Sequence, residues 1–294
     1  MKTPYILTLL LITPLAFAGK IHEAAQSGDI QTVKRLLESG ISPDERDEFG
    51  RTPLMLAAAN GHIDVIDELI WDDANIDLQS FDESYAYTAL MYAVAGNNTE
   101  AIQRLLDVEP QIELKNILGQ TAFYLLISDE TEIDLELVKS FIDADANVNT
   151  CDFQGCTPLI LSAERSNIDL MRLLIENGAN VNQPEFSHKT PLIIATVNGS
   201  LASMQVLLES GAKINSRWDF GNTALLDAFD AIPDLGLLEK VVKLLIDYGA
   251  DPLVIGAWEK TPSQLAQEKG YEDLTNFLQC AEIDYIIDQD EANA

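Results

Sequence analysis

Two cysteines, Cys151 and Cys156, enclose the residues DFQG and are the clearest candidates for chemistry in the sequence. Redox enzymes of the thioredoxin type need Cys-x-x-Cys at a helix N-terminus, where the thiol pKa is lowered, and the spacing here is wider. A zinc site needs further ligands, and no histidine stands close to the pair in sequence. The pair therefore predicts a structural disulfide or two free thiols rather than a catalytic or metal site.

The other titratable residues show no catalytic pattern. The three histidines, His22, His62 and His188, stand in no Ser-His-Asp or Cys-His arrangement, and no glycine-rich phosphate loop is visible. The acidic stretch SDETEIDL, residues 128–135, could attract calcium, but it lacks the residue order of an EF-hand loop. We therefore predict no catalytic residues, no metal site and no cofactor. An enzyme with an unrecognised acidic site is the competing hypothesis.

The first residues, MKTPYILTLLLITPLAFAGK, indicate where the protein is sent. Lys2 is followed by an apolar run from Tyr5 to Leu15 and by the small-residue pattern Ala16-Phe17-Ala18. This order is typical of a cleavable secretory signal peptide, here residues 1–18, and the run is too short to cross a bilayer. We expect a secreted, periplasmic protein whose mature chain does not insert into the membrane. An uncleaved anchor is the alternative.

The composition is strongly acidic. There are 18 lysines and arginines against 48 aspartates and glutamates, a formal charge of −30. Such a surface repels nucleic acid and anionic lipid, and it attracts basic proteins or cations. A hydrophobic content of 47% is too high for a disordered chain. We expect a folded monomer that binds a protein partner with a basic patch and does not bind nucleic acid.

A repeated element must position any binding residues. Threonine followed by Pro-Leu or a similar pair recurs at residues 52, 88, 121, 157, 190, 223 and 261, and a period near 33 residues is typical of a solenoid. Each threonine can cap a short apolar helix, and proline suits the first helical position. A second amphipathic helix follows in each repeat, and it ends at a glycine at Gly40, Gly178, Gly211 and Gly249.

These motifs resemble the ankyrin repeat, whose pattern is G-x-T-P-L-H-x-A-A, then G-H, then V-x-x-L-L-x-x-G-A-x-V-N. The resemblance implies an all-α solenoid of stacked helix pairs with short β-hairpin fingers. It covers residues 19–280, with about seven to eight repeats including caps. Residues 281–294 are then an acidic, partly disordered tail. The chain departs from the pattern at Asp73, Glu109 and Asp145, which replace the terminal glycine and must adopt its left-handed backbone.

The repeat also places the two cysteines, at the base of one hairpin finger and opposite each other. Opposed positions bring Cα atoms to about 4.5–5.5 Å, which is within disulfide range. In an oxidising compartment we expect the Cys151–Cys156 bond to form and to stabilise the fold by about 2 kcal/mol at most.

Aromatic residues stand where turn tips usually carry small polar ones. They fall in the hairpin turns or in one longer finger, and are Phe49, Phe81, Tyr85, Tyr87, Phe153, Phe186, Trp218, Phe220 and Trp258. A row of aromatic tips on an acidic solenoid suits a protein-binding face, in which aromatics anchor and carboxylates steer. The alternative is that each aromatic packs on its neighbouring finger, and both can hold at once.

The family resemblance adds polar contacts and a class of function. Ankyrin proteins meet their partners mainly through finger tips and the concave side of the first helices, which implies Glu48, Arg51, Gln154, Glu164, Arg165, Asp219 and Asp230. Acidic ankyrin proteins with a signal peptide resemble immunity proteins that neutralise antibacterial effectors such as phospholipases. They also resemble periplasmic ankyrin proteins that support catalase and peroxide resistance. We expect a non-catalytic binding scaffold, with the immunity role preferred.

Overall fold

The computed structural model describes residues 19–81, 85–128 and 133–292, so the predicted signal peptide lies outside the described residues. The chain divides into two units, Met1–Phe153 and Gln154–Ala294. Both are built from helix pairs. None of the described helices is long and apolar enough to cross a membrane.

The first unit contains eight described helical segments. They are α1 (residues 19–27), α2 (Ile30–Glu38), α3 (Pro53–Asn60), α4 (Ile63–Trp71), α5 (Ala89–Ala95), α6 (Thr99–Leu106), α7 (Ala122–Ser128) and α8 (Leu135–Asp143). Helices α3, α5 and α7 pack side by side as one layer, and α2, α4, α6 and α8 form the other. The two layers meet through apolar faces, as where Phe123 packs on Phe141 with ring centroids 5.9 Å apart.

The second unit repeats this arrangement. Its helices are α9 (Pro158–Glu164), α10 (Ile168–Glu176), α11 (Pro191–Val197), α12 (Leu201–Glu209), α13 (Ala224–Ala231), α14 (Leu235–Asp247), α15 (Pro262–Glu268) and α16 (Glu272–Ala292). Helices α9, α11, α13 and α15 form one layer, while α10, α12 and α14 form the other. Fully buried alanines such as Ala163, Ala195 and Ala228 allow the first layer to pack closely, because their side chains fill little space. The all-helical stack predicted from the repeat is confirmed.

The periodic threonines cap the first helices as predicted. The Thr157 hydroxyl accepts a hydrogen bond from the backbone N–H of Ile160 at 3.3 Å, and five other threonines do the same at the corresponding position. Thr223 has the extended backbone of a cap but makes no cap hydrogen bond, and its buried hydroxyl has no partner.

This difference gives a matched prediction. Thr157→Val should lower the free energy of unfolding by about 1 kcal/mol, because a cap bond is lost. Thr223→Val should leave it unchanged within about 0.5 kcal/mol or raise it, because an unsatisfied buried hydroxyl is removed. Urea unfolding followed by circular dichroism measures both. Equal losses in the two variants would contradict the assignment of the caps.

The fingers are turns rather than paired strands, since no described residue forms a β-strand. Four of the turns are closed by a bond from a backbone N–H to the carbonyl four residues later, at Asp47, Asn116, Glu185 and Trp218 (3.0, 2.9, 3.1 and 3.2 Å). Neighbouring fingers are joined by backbone bonds, such as Phe81 N–H to Phe49 C=O (3.2 Å) and Phe186 N–H to Gln154 C=O (2.9 Å). In the described residues these bonds do not form the continuous ladder that defines a strand.

Positive φ angles occur where the repeat requires them. Gly178 and Gly211 both have φ of 88°, just after the second helices. Asp73, Glu109 and Asp145 occupy the same left-handed region with φ of 61°, 54° and 64°, as the sequence predicts. The acidic segment after residue 280 continues α16 as far as Ala292. The predicted partial disorder of this tail stays a prediction.

Candidate functional site

The aromatic tips pack on glycines of the preceding finger. The ring atoms of Phe81, Phe153 and Phe186 lie 2.4, 2.7 and 2.7 Å from where a Cβ on Gly50, Gly119 and Gly155 would stand. Each ring therefore lies against the backbone of a glycine, in the space that a side chain at that position would occupy. The same three rings remain 61%, 65% and 70% exposed. One side of each ring packs on the preceding finger, and the rest of the ring is exposed and accessible to a partner.

Other tip aromatics interact within the first unit. The guanidinium carbon of Arg51 lies 4.9 Å from the Phe49 ring centroid, and that of Arg46 lies 5.0 Å from the centroid of Phe81. Arg51 also forms an ion pair with Asp47 at 2.7 Å. The rings of Tyr85 and Tyr87 meet at a centroid distance of 5.0 Å. Arg51 thus has a structural role in addition to the predicted contact with a partner.

A cavity of about 490 Å³ lies in the second unit and brings several predicted residues together. Its aromatic walls are Trp218 and Phe220, from the turn before α13, and Trp258, from the turn before α15. Helix α13 contributes Asp227 and Asp230, and Lys189 enters from the residues just before α11. We call these six residues the aromatic–acid pocket.

The side chains of the pocket hold one another in place. Trp218 and Phe220 meet edge to face, with centroids 4.6 Å apart and planes at 79°. The Lys189 ammonium lies 4.4 Å from the Trp218 centroid, a favourable cation–π contact. The Trp258 indole N–H donates a hydrogen bond to Asp230 Oδ2 at 3.0 Å. Phe220 and Trp258 are nevertheless 66% and 60% exposed.

Asp227 is the least satisfied charged group in the pocket. Its residue is 6% exposed, and Oδ1 accepts a hydrogen bond from Asn222 Nδ2 at 2.9 Å, while Oδ2 has no partner. Burial raises the pKa of Asp227, and this outweighs the opposing effects of the Asn222 amide, the Lys189 charge and the nearby Trp218 N–H. The Trp218 N–H is itself buried and, like Asp227 Oδ2, has no hydrogen-bond partner. The pocket thus contains a buried carboxylate with one unpaired oxygen beside its aromatic walls.

The other predicted contacts are distributed over the surface. Asp219 is exposed and lies 2.6 Å from His188 Nδ1. Glu48 is exposed, and so are Glu164 and Arg165 at the end of α9. The Gln154 carbonyl binds the next finger, as described above. Their contacts with a partner stay predictions.

Sequence reasoning missed two residues of the pocket, Lys189 and Asp227, and also Asn222, which donates a hydrogen bond to Asp227. The sequence does contain a signal for Asp227. Four residues after each repeat threonine stand Leu56, Tyr92, Leu125, Leu161, Ile194, Asp227 and Leu265. A carboxylate at a position that otherwise carries an aliphatic or aromatic residue is the sequence signal for this site.

The two cysteines and the histidines can also be placed. Cys151 and Cys156 are half-buried, and Cys151 is a free thiol in the structure, so no bond joins the pair there. The disulfide depends on the redox compartment and stays a prediction. His22 and His62 make structural hydrogen bonds through Nε2, to the Glu45 carbonyl and to the Gln26 carbonyl respectively, each at 3.0 Å. Within the described part of the chain, no cluster of three or more His, Cys, Asp or Glu could hold a metal ion.

The chain matches known repeat proteins. A family model described as ankyrin repeats (3 copies) matches residues 21–116 and 123–217. A human protein, ankyrin repeat domain-containing protein 29, is 47% identical over 68 residues, which are 23% of this chain and 22% of that protein. The rice E3 ubiquitin-protein ligase XB3 is 41% identical over 68 residues, which are 23% of this chain and 15% of that protein. The matches therefore span 22% and 15% of the length of these two relatives.

Solved structures show the same fold. The ankyrin repeat protein EF0377 aligns with a TM-score of 0.59 and 24% identity, over 65% of this chain and 96% of that chain. The human ASB11 ankyrin repeat domain aligns with a TM-score of 0.61 and 21% identity, over 76% of this chain and 96% of that chain. At these identities the structures support the fold alone.

Proposed function

Because the chain belongs to the ankyrin-repeat family, a family of protein-binding scaffolds, we propose that it is an exported scaffold for a partner protein with a basic patch. The observation that carries the proposal is the aromatic–acid pocket, in a chain whose formal charge is −30. Its exposed rings can anchor a partner, while the carboxylates around them attract basic residues and speed association.

Export to the periplasm is part of the proposal and rests on the predicted signal peptide. Our preferred role there is immunity, in which the scaffold binds and neutralises a basic antibacterial effector. The acidic charge favours this role, since it would steer a basic toxin into the binding face at low ionic strength. The role requires no catalytic group, and none is assigned.

Affinity capture tests the proposal directly. The mature chain from Gly19 would be immobilised and exposed to extracts of the producing organism and of its competitors, at low and at high salt. We expect one stoichiometric basic partner that is lost at high salt, because exposed charges are screened. Capture of an effector supports immunity, while capture of a catalase would replace it with enzyme support. Absence of any partner at both salt concentrations would contradict the scaffold function.

An aromatic tip supplies a variant for the same assay. Phe186→Ser should weaken capture about tenfold, as expected for loss of an aromatic anchor. Its thermal midpoint should fall by only a few degrees, since the ring is 70% exposed. Tyr248→Ser, which changes a 42% exposed aromatic at the end of α14, is the matched control. A collapse in the stability of Phe186→Ser would mean that this tip serves packing alone.

A further inference from the structure

We infer that the aromatic–acid pocket is the subsite for an arginine side chain of the partner, an inference that rests on the proposed scaffold function. The cavity, about 490 Å³, lies in the usual size range of ligand pockets. Its occupant must suit three features: aromatic walls, an unpaired buried carboxylate oxygen, and a negative balance of charge.

The walls favour a planar cation. A guanidinium stacks on aromatic faces and is more weakly hydrated than an ammonium, so it enters a partly apolar pocket more easily. The rings of Phe220 and Trp258 remain more than half exposed and accessible to such a group. Trp218 already attracts a cation, because the Lys189 ammonium lies 4.4 Å from its ring centroid.

The carboxylates favour a ligand with a positive charge. Asp227 and Asp230 outnumber Lys189, the remaining charged residue among those lining the pocket. Asp227 Oδ2 is buried without a hydrogen-bond partner, although Oδ1 is held by Asn222. A buried carboxylate with an unpaired oxygen is poorly compensated, so a ligand that brings a positive charge against the neighbouring rings gains more than a neutral one. A guanidinium presents five N–H donors in a rigid fork, and can donate to the exposed Asp230 carboxylate while it stacks.

The ligand test uses Nα-acetyl-arginine amide and its neutral isostere Nα-acetyl-citrulline amide. The chain has three tryptophans, and Trp71→Phe removes the one outside the pocket, so that the fluorescence comes from Trp218 and Trp258. We expect saturable quenching by the arginine probe, and affinity at least about tenfold lower for citrulline, a difference of about 1.4 kcal/mol. Nα-acetyl-lysine amide should also bind more weakly than arginine.

Variants locate the binding. In the same background, Asp227→Asn should weaken the arginine probe about tenfold or more. Glu176→Gln, which removes one exposed charge from α10, should have no effect. Equal responses to arginine and citrulline, no response to either, tighter binding of lysine, or an unchanged affinity in Asp227→Asn would each overturn the inference.

Failure of the subsite and failure of the scaffold can be separated. If the partner is captured equally well by the parent chain and by Asp227→Asn, the scaffold function stands and the arginine subsite does not. If the arginine probe binds at the pocket but no protein is captured, the subsite stands and the scaffold function fails.

Discussion

Replacing Asp227 by asparagine should make the protein more stable at pH 7, with a thermal midpoint higher by about 2–4 °C, which corresponds to about 1 kcal/mol for a domain of this size. In the native chain, the Asp227 carboxylate is buried with one oxygen unpaired. An amide keeps the shape and can still accept from Asn222, but it carries no charge to desolvate.

The pH dependence of this gain follows from the pKa of Asp227. Burial raises that pKa above the usual 3.8, with Lys189 and Asp230 as the charged groups around it. A folded state with the higher pKa binds the proton more tightly, so the contribution of Asp227 to stability is fully present below pH 3.8. It is lost as the pH rises through the raised value. The advantage of Asp227→Asn should therefore be largest at neutral pH and vanish in acid.

Thermal unfolding of both proteins between pH 3 and pH 8 measures this difference. The control is Asp230→Asn, which removes an exposed carboxylate from the same helix and should change stability by no more than about 0.5 kcal/mol. If Asp227→Asn is less stable than the parent at pH 7, then the carboxylate contributes to the fold and the pocket is not strained. A gain in stability combined with loss of arginine binding is the pattern expected of a functional site.

The second large effect is expected at a finger glycine. Gly155→Ala should destabilise the second unit by about 2 kcal/mol. About half of this comes from the positive φ of 77°, and the rest from overpacking against the Phe186 ring, 2.7 Å from the new Cβ. The backbone nitrogen of Phe186 is also close, at 3.1 Å, so the ring alone cannot move aside to make room.

A second glycine separates the two causes. Gly178 has φ of 88° and nothing within 4 Å of its hypothetical Cβ, so Gly178→Ala should lose only about 1 kcal/mol, from backbone strain. Adding Phe186→Ala to Gly155→Ala should recover part of the extra loss. Chemical denaturation of the parent, the two single glycine variants and the double variant measures these differences in the free energy of unfolding. Equal losses for the two glycines would show that the tip aromatic does not pack on the preceding finger.

Local sequence was enough to predict the helix pairs and their ends. A capping threonine, a proline at the first helical position and a terminal glycine act within a few residues, and they recur with a nearly constant period. The left-handed backbone of Asp73, Glu109 and Asp145 could be predicted for the same reason, since each stands where its neighbours have glycine. Aromatic tips could be identified as unusual, although the same reasoning left open whether they bind or pack.

The aromatic–acid pocket was decided by tertiary structure. Lys189, Trp218, Asp227 and Trp258 come from three successive repeats, and only the stacking of α11, α13 and α15 brings them to one cavity. Asp227 Oδ2 has no hydrogen-bond partner for a related reason, because the packing of α11 and α15 on α13 buries this side chain. Sequence periodicity determines which side chains point toward the neighbouring repeats. The contacts between repeats then determine which polar groups among them lack a hydrogen-bond partner and which rings stay exposed.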